Sequence, residues 1–211
     1  MTFTLKKRMV YNIKMNRISI IENFITPEDA ATLIREQQNP SETNPYPDYY
    51  KDRYGGTSLP YNKTVMDIMI KYGHKSNEMH RSFNGFKNDI YVFKAFGSHW
   101  AAGTKGDLHI DAQGPEPWIE FSTIMYLSDP KDYDGGVIYF PNQDFSYKPK
   151  QYSAVFFPSA GTEYIHGITG VTRGDRYTGL YMHTSLPKHV DPDFHPGINR
   201  WKAKDYPLAK L

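Results

Sequence analysis

The spacing of apolar residues divides the chain into a helical front part and an extended remainder. Residues 26–38 carry apolar side chains at three- and four-residue steps, which is the period of a helix with one buried face. Thr26 can cap this helix, and Pro27 fits its first turn. Residues 65–79 show a similar stripe, which predicts one or two helices packed on a sheet and interrupted near Gly73.

From residue 88 onward, the apolar residues fall in short runs bounded by glycine and proline. β-Branched and aromatic residues dominate these runs, as is typical of strands. The segments predicted as strands, with a first one near the N-terminus, are residues 17–24, 90–96, 108–111, 120–127, 136–140, 153–157, 164–168 and 176–183. Two helices followed by short strands with tight connections predict an α+β fold with a sandwich or jelly-roll core of about eight strands.

Composition excludes several functional classes. The chain has no cysteine, which excludes disulfides, iron–sulfur clusters, thiolate zinc sites and a cysteine nucleophile. The formal net charge of +2 gives no strong field and does not point to a nucleic-acid partner. No apolar run reaches membrane-spanning length, and the N-terminus lacks a signal-peptide core. We therefore expect one cytoplasmic domain over residues 1–211.

Two segments flank the predicted core at residues 18–185, and one long loop interrupts it. Residues 1–17 are basic, which predicts a solvated arm, with a nucleic-acid-binding tail as the alternative. Residues 40–62 are rich in proline and tyrosine and are a candidate lid, with a tyrosine-anchored surface loop as the alternative. Residues 186–211 are predicted to form an irregular tail.

The candidate chemistry begins with His109 and Asp111, which stand two residues apart in an extended segment. Alternate side chains of a strand leave the same face, so this imidazole and this carboxylate could hold one ion together. A histidine from a distant strand would complete the two-histidine, one-carboxylate set typical of non-haem Fe(II) oxygenases. A single H-x-D pair is often found without a metal, so the interpretation as a metal site depends on the residues that would form its other half.

His166 and Arg176 are the candidates for that other half. If their strands form a hairpin centred on Val171, the two residues are direct cross-strand partners with Cβ atoms about 5 Å apart. A guanidinium can pair both oxygens of a carboxylate. A metal beside such an anchor would suit a bidentate 2-oxo acid, although His166 or Arg176 taken alone is more often structural.

These motifs resemble those of the Fe(II)/2-oxoglutarate-dependent dioxygenases, in particular the prolyl 4-hydroxylase-like subgroup. The matching segments are H-I-D at 109–111, Y-L-S-D at 126–129, G-G-V-I at 135–138, H-G-I at 166–168 and R-Y at 176–177. The resemblance covers residues 18–185. It implies a double-stranded β-helix, the jelly roll of this superfamily, with the N-terminal helices packed on one sheet.

The resemblance also implies roles for individual residues. His109, Asp111 and His166 would be the iron ligands. Arg176 would hold the distal carboxylate of 2-oxoglutarate, assisted by the hydroxyl of Tyr126.

Two further residues are candidate contacts of the co-substrate. Thr178 shares a strand face with the arginine and could add a hydrogen bond. The subgroup usually has a tyrosine about ten residues before the first histidine, and here that position is His99, followed by Trp100. The other histidines have no motif support: His74 and His80 are expected at the surface or in caps, and His183, His189 and His195 are expected to be structural.

The activity that the resemblance implies is an oxidoreductase using Fe(II), 2-oxoglutarate and O2, with ascorbate expected by analogy. We expect hydroxylation of a C–H bond in a peptidyl proline, a free amino acid or another small molecule. Two other classes remain open: a non-catalytic double-stranded β-helix that binds a ligand, and a zinc-dependent hydrolase. The hydrolase would explain the metal ligands but not an arginine ten residues after His166.

Overall fold

The structure, a computed structural model, describes residues 10–11, 17–39, 59, 62–114 and 116–191. The predicted arm at 1–17, the candidate lid at 40–62 and the tail at 186–211 lie wholly or largely outside these residues, so their interpretations stay predictions. Neither helix in the described part of the chain is long and apolar enough to cross a membrane.

Within the described residues, two α-helices lie between strand β2 (Ser19–Ile21) and the remaining strands of the sheets. Helix α1 spans Pro27–Gln38, and the Thr26 side chain caps it by accepting a hydrogen bond from the backbone of Asp29 at 3.2 Å. Helix α2 runs unbroken through Lys63–Asn84, so the predicted interruption near Gly73 is wrong. A glycine inside a helix costs only about 1 kcal/mol relative to alanine, which burial of the apolar face of α2 can offset.

In the part of the chain that the structure describes, ten antiparallel strands form two sheets. In chain order they are β1 (Val10–Tyr11), β2 (Ser19–Ile21), β3 (Tyr91–Ala101), β4 (Gly106–His109), β5 (Phe121–Tyr126), β6 (Ile138–Phe140), β7 (Phe145–Tyr147), β8 (Ala154–Pro158), β9 (His166–Ile168) and β10 (Asp175–Thr184). The major sheet has the order β1-β2-β8-β5-β10-β3, and the minor sheet has the order β4-β9-β6-β7. The predicted α+β jelly roll is confirmed, whereas the short strands β1, in the predicted arm, and β7 were not predicted.

The alternation of side chains along strand β5 shows how the layers are arranged. Met125 packs towards the helices, in a cluster with Leu33 and Tyr72. Ile124 and Tyr126 point the other way, into the space between the two sheets, where residues of the minor sheet join them. The helices therefore cover the outer face of the major sheet, as predicted, and leave its inner face to line an interior.

A buried polar network lies between helix α2 and the major sheet. His80 Nε2 is 2.9 Å from Thr123 Oγ1, and that hydroxyl is 3.1 Å from His183 Nε2. His183 Nδ1 in turn lies 2.8 Å from Asn77 Oδ1. The prediction that His80 is a surface or capping residue is wrong, because only 1% of it is exposed, whereas His74 is exposed as expected.

Candidate functional site

Strands β4 and β9 of the minor sheet bring three candidate metal ligands together. His109 and His166 are cross-strand partners, and Asp111 lies in the bend that follows β4. Asp111 Oδ1 is 3.3 Å from Nε2 of His109 and 3.8 Å from Nε2 of His166. One potential ligand atom from each residue lies within 4.8 Å of the others. The strand ends earlier than predicted, and the bend turns the carboxylate towards both imidazoles.

Hydrogen bonds to backbone carbonyls orient both imidazoles. His109 Nδ1 lies 2.8 Å from the carbonyl oxygen of Asp107, and His166 Nδ1 lies 3.1 Å from that of Tyr164. A carbonyl only accepts, so each Nδ1 carries a proton, and Nε2 is the nitrogen of each ring that faces the carboxylate. A metal-binding histidine needs this tautomer, and a bond at its second nitrogen is what selects it.

Two buried serines hold the carboxylate of Asp111. Ser122 Oγ on β5 donates to Asp111 Oδ2 at 2.5 Å, and Ser159 Oγ lies 2.6 Å from Ser122 Oγ. This bond occupies one carboxylate oxygen and leaves Oδ1 facing the imidazoles. Serine is common in strands and loops, so nothing in the sequence marked either residue. Only the pairing of β5 with β8 brings them beside the site.

The electrostatics of the three residues favour an anionic Asp111 carboxylate and a neutral His166, and they favour the protonated form of His109. Burial alone would raise the pKa of Asp111, but His166, His109 and the Ser122 hydrogen bond outweigh it and lower that pKa to about 2. Burial lowers the pKa of His166. Burial also opposes the charge on His109, but its contact with Asp111 outweighs that effect and raises its pKa.

The site is closed on one side and open on the other. The His166 ring packs against Phe157 and Phe140, with centroids 4.8 Å and 5.3 Å away, and only 4% of its side chain is exposed. By contrast, 27% of the His109 side chain is exposed. A small ligand can therefore approach from the His109 side, while aromatic rings exclude water behind His166.

Arg176 faces the same interior from the opposite sheet. The predicted hairpin between His166 and Arg176 is wrong, because β9 pairs with β4 and β6, whereas β10 pairs with β3 and β5. The intervening chain crosses between the sheets, and the backbone N–H of Val171 donates to Thr104 of the β3–β4 turn at 2.8 Å. The two residues thus meet across the interior and not within one sheet.

The guanidinium of Arg176 is buried without a counter-ion. Only 1% of the residue is exposed, and none of its three nitrogens has a hydrogen-bond partner among the residues that the structure describes. Its Cζ lies 5.2 Å from the ring centroid of Tyr126 and 5.9 Å from that of Trp100. The Tyr126 hydroxyl is also buried and, within the described chain, unpartnered. An uncompensated buried cation is costly, so this chemistry fits a carboxylate ligand.

The turn before β6 allows the backbone to approach Arg176 closely. Gly136 has a φ of 63°, and a Cβ atom there would lie 2.6 Å from Cδ of Arg176. Any other residue would meet both backbone strain and a steric clash. The G-G pair at 135–136 therefore helps to hold the guanidinium stem in its place.

The structure does not bring His99 into the site. Its ring stacks on Tyr177 at 4.5 Å, and its Nε2 lies 2.6 Å from Asp175 Oδ1. Tyr177 belongs to the cluster under the helices, so His99 lies on the outer face, while its neighbours Ser98 and Trp100 face inward. A spacing of ten residues does not preserve the face, because a turn separates β3 from β4.

Thr178 and Arg173 differ in position. Thr178 is buried on the inner face, in register with Tyr126, and its hydroxyl donates to the carbonyl of Ser98 at 3.3 Å. Arg173 lies on the surface, where its Nε donates to Asp134 Oδ2 at 2.7 Å. Arg173 is therefore not an alternative anchor in the interior.

Comparisons with known proteins agree with this geometry. Residues 95–182, which include every candidate site residue, match the profile of the 2OG-Fe(II) oxygenase superfamily. Prolyl 3-hydroxylase 1 of Homo sapiens is 38% identical over 79 residues, which are 35% of this chain and 10% of that protein. A PKHD-type hydroxylase of Pseudomonas fluorescens is 30% identical over 102 residues, 45% of each chain. The chain thus spans less than half the length of these curated relatives.

The fold has a close counterpart among solved structures. The viral collagen prolyl hydroxylase of Paramecium Bursaria Chlorella virus-1, solved as its 2OG complex, superposes with a TM-score of 0.63 at 16% identity. The superposition covers 82% of this chain and 97% of that one. The superposition shows that the chain has a prolyl hydroxylase-like fold, and residues 95–182, which carry His109, Asp111 and His166, are similar to the 2OG-Fe(II) oxygenase superfamily.

Proposed function

We propose that the protein is an Fe(II)- and 2-oxoglutarate-dependent dioxygenase that hydroxylates a C–H bond of its substrate. One observation carries the proposal: a His/His/Asp cluster and a buried, uncompensated arginine face one interior from opposite sheets. His109, Asp111 and His166 would hold the iron, and Arg176 with Tyr126 would hold the distal carboxylate of 2-oxoglutarate. A zinc hydrolase would account for the metal ligands but does not require such an arginine.

Fe(II), 2-oxoglutarate and O2 together supply the oxidising chemistry, and the chain's own residues prepare the place for it. Asp111 remains anionic and contributes one negative charge beside two imidazole lone pairs. The guanidinium of Arg176 neutralises the co-substrate and fixes its orientation. Phe140 and Phe157 keep water away from the closed side of the site.

Peptidyl proline is the substrate class that we favour. The names of a curated relative, prolyl 3-hydroxylase 1, and of a structural neighbour, a collagen prolyl hydroxylase, both support it. The opening beside the exposed edge of His109 gives an extended peptide access to the site. A free amino acid or another small molecule is the second candidate, and ascorbate is expected as an additive by analogy.

The test is substrate-dependent release of succinate. Purified protein with Fe(II), ascorbate, O2 and 2-oxoglutarate is incubated with proline-containing peptides, the same peptides with alanine in place of proline, and free amino acids. We expect succinate to rise above the substrate-free background with a proline peptide and not with its alanine counterpart. Equal release with both peptides would contradict proline as the target. If none of these compounds raised succinate release, and wild-type and Asp111→Ala protein behaved alike, the assignment as an oxygenase would be contradicted.

A further inference from the structure

We propose that Ser98 donates a hydrogen bond to the distal carboxylate of 2-oxoglutarate, and that Thr178 does not. Ser98, Tyr126 and Arg176 would then surround this carboxylate from three adjacent strands of the major sheet. The proposal rests on the proposed function and refines it, because it names the hydroxyl group that recognises the co-substrate on strand β3.

The register of the major sheet places these groups side by side. Thr178 on β10 is the cross-strand partner of Ser98 on β3 and also of Tyr126 on β5. The three residues therefore form one row across the inner face. Arg176 lies two residues from Thr178 along the same strand and so shares that face. Ser98 and Tyr126 therefore flank Thr178 on its two sides, and both share the inner face with the guanidinium of Arg176.

The hydroxyls of Ser98 and Thr178 differ in whether their proton is already donated. A hydroxyl has one proton, and that of Thr178 is donated to the carbonyl oxygen of Ser98 at 3.3 Å. Thr178 can therefore still accept a hydrogen bond, but a carboxylate has none to offer. Ser98 Oγ, in contrast, is fully buried and has no hydrogen-bond partner among the described residues. Its proton remains available.

The polar atoms that lack partners in this region together indicate which ligand would satisfy them. Ser98 Oγ, the Tyr126 hydroxyl and all three nitrogens of Arg176 lack acceptors within the described part of the chain. Burial of a polar group without a partner is unfavourable, and native proteins rarely leave several together. One carboxylate has two oxygens with about four lone-pair sites, so it could accept from all three side chains at once.

This assignment also explains why His99 is not needed in the site. Ser98 and Trp100, the neighbours of His99 on strand β3, occupy the inward-facing positions. Trp100 packs over the guanidinium of Arg176 from the β3 side. Strand β3 thus contributes a hydrogen-bond donor and an apolar wall to the pocket, whereas His99 forms its contacts with Tyr177 and Asp175 on the other face.

Two matched variants test the proposal by equilibrium binding. Affinity for 2-oxoglutarate is measured on the full chain loaded with Mn(II) in place of Fe(II), so that no turnover occurs. We expect Ser98→Ala to weaken 2-oxoglutarate binding about tenfold, the loss of one charge-assisted hydrogen bond. Thr178→Val keeps the shape of the side chain and removes its hydroxyl, and it should change this affinity less than about twofold. Mn(II) affinity should be the same in both variants.

Thermal unfolding of the ligand-free variants gives a second readout. Ser98→Ala removes an unsatisfied buried hydroxyl, so its Tm should equal or exceed that of the wild type. Thr178→Val removes the hydrogen bond that its hydroxyl donates to the Ser98 carbonyl, so its Tm should fall. A merely structural role for Ser98 would instead lower the Tm of Ser98→Ala.

The outcomes that overturn the inference are distinct from those that overturn the function. Unchanged 2-oxoglutarate affinity in Ser98→Ala, or a larger loss in Thr178→Val, would remove Ser98 from the pocket while Arg176→Ala still abolished binding. A wild-type protein that binds Mn(II) but no 2-oxoglutarate would instead contradict the proposed function itself.

Discussion

At the scale of single residues, the candidate ligands depend on hydrogen bonds behind them. Both imidazoles donate to backbone carbonyls, and Asp111 accepts from Ser122. These bonds select the tautomers and occupy one carboxylate oxygen, so they prepare the ligand set for a metal before any metal binds.

Ser122→Ala should therefore weaken metal binding without unfolding the protein. Loss of an outer hydrogen bond to a ligand typically costs about 10- to 100-fold in metal affinity. The measurement is titration of the ligand-free protein with Mn(II) or Fe(II) under anaerobic conditions. Ser76→Ala is the matched control, since Ser76 is equally buried but donates to the carbonyl of Tyr72 within helix α2. Equal metal affinity in the two variants would show that Ser122 does not position Asp111.

Arg176→Lys should raise the 2-oxoglutarate concentration required for binding and leave metal affinity unchanged. Lysine keeps the charge but loses the planar fork that pairs two carboxylate oxygens. A charge-assisted hydrogen bond contributes about 1.5–3 kcal/mol, which corresponds to a roughly 10- to 100-fold loss. Parallel titrations with 2-oxoglutarate and with metal check this, with Arg173→Lys on the surface as control. Wild-type 2-oxoglutarate affinity in Arg176→Lys would argue against bidentate pairing.

The sequence identifies the residues whose spacing carries a signal. His109, Asp111, His166 and Arg176 are found because the complete H-x-D…H…R set has a specific order and spacing, although H-x-D alone is a weak signal. Ser98, Ser122 and Ser159 have no such signal, because their importance comes from which strands pair and which face each side chain takes. For the same reason the outward direction of His99 could not be predicted from its distance along the chain.

At the scale of elements, turns and helices hold the interior in shape. The turn at Gly136 brings backbone against the stem of Arg176, and helix α2 covers the outer face of the major sheet. Both features depend on pairs of residues far apart in the sequence.

Gly136→Ala should reduce both stability and 2-oxoglutarate affinity. A left-handed φ costs a non-glycine residue about 1–3 kcal/mol, and the new Cβ would displace Arg176 in addition. Gly85→Ala is the matched control, because Gly85 has a φ of 60° and nothing lies within 4 Å of the added Cβ. Urea unfolding of both variants measures the cost of the backbone strain. Titration with 2-oxoglutarate measures the effect of displacing Arg176. If Gly85→Ala lost as much 2-oxoglutarate affinity as Gly136→Ala, the contact with Arg176 would be irrelevant.

His80 should make the packing of helix α2 sensitive to acid. Burial lowers the pKa of His80 from 6.5 to about 3, so the unfolded chain binds a proton on it that the folded protein does not. Its contribution to stability is complete above pH 6.5 and falls as the pH drops from there towards 3. Urea unfolding of wild type and His80→Phe at several pH values measures this. The variant should lose less stability on acidification, and identical slopes would contradict the account.

Element types were predicted more accurately than their partners. Most strands and both helices are found at the expected places, because local periodicity reports burial on one face. The hairpin between β9 and β10 was wrong, because a short turn does not reveal that the chain changes sheets. The break at Gly73 was also wrong, since tertiary packing outweighed the local cost of glycine.

At the scale of the whole molecule, the proposed site exists only when the two sheets face each other. The metal ligands belong to the minor sheet or follow it, whereas Arg176 belongs to the major sheet. A 2-oxo acid with a distal carboxylate has one end suited to the metal and the other end suited to Arg176. The jelly roll could be predicted from the strands and motifs together. The substrate could not, because the candidate metal ligands and Arg176 would bind the metal and the co-substrate and would not contact the substrate.

The most direct test of this composite site is the visible spectrum of the anaerobic protein with Fe(II) and 2-oxoglutarate. A 2-oxo acid bound to iron through its carboxylate and keto oxygens should give a weak charge-transfer band. We predict the band for wild type only when both additions are present, its loss in His166→Ala, and its appearance only at far higher 2-oxoglutarate in Arg176→Ala. No band in wild type at saturating Fe(II) and 2-oxoglutarate, or the same titration in Arg176→Ala, would contradict the joint site.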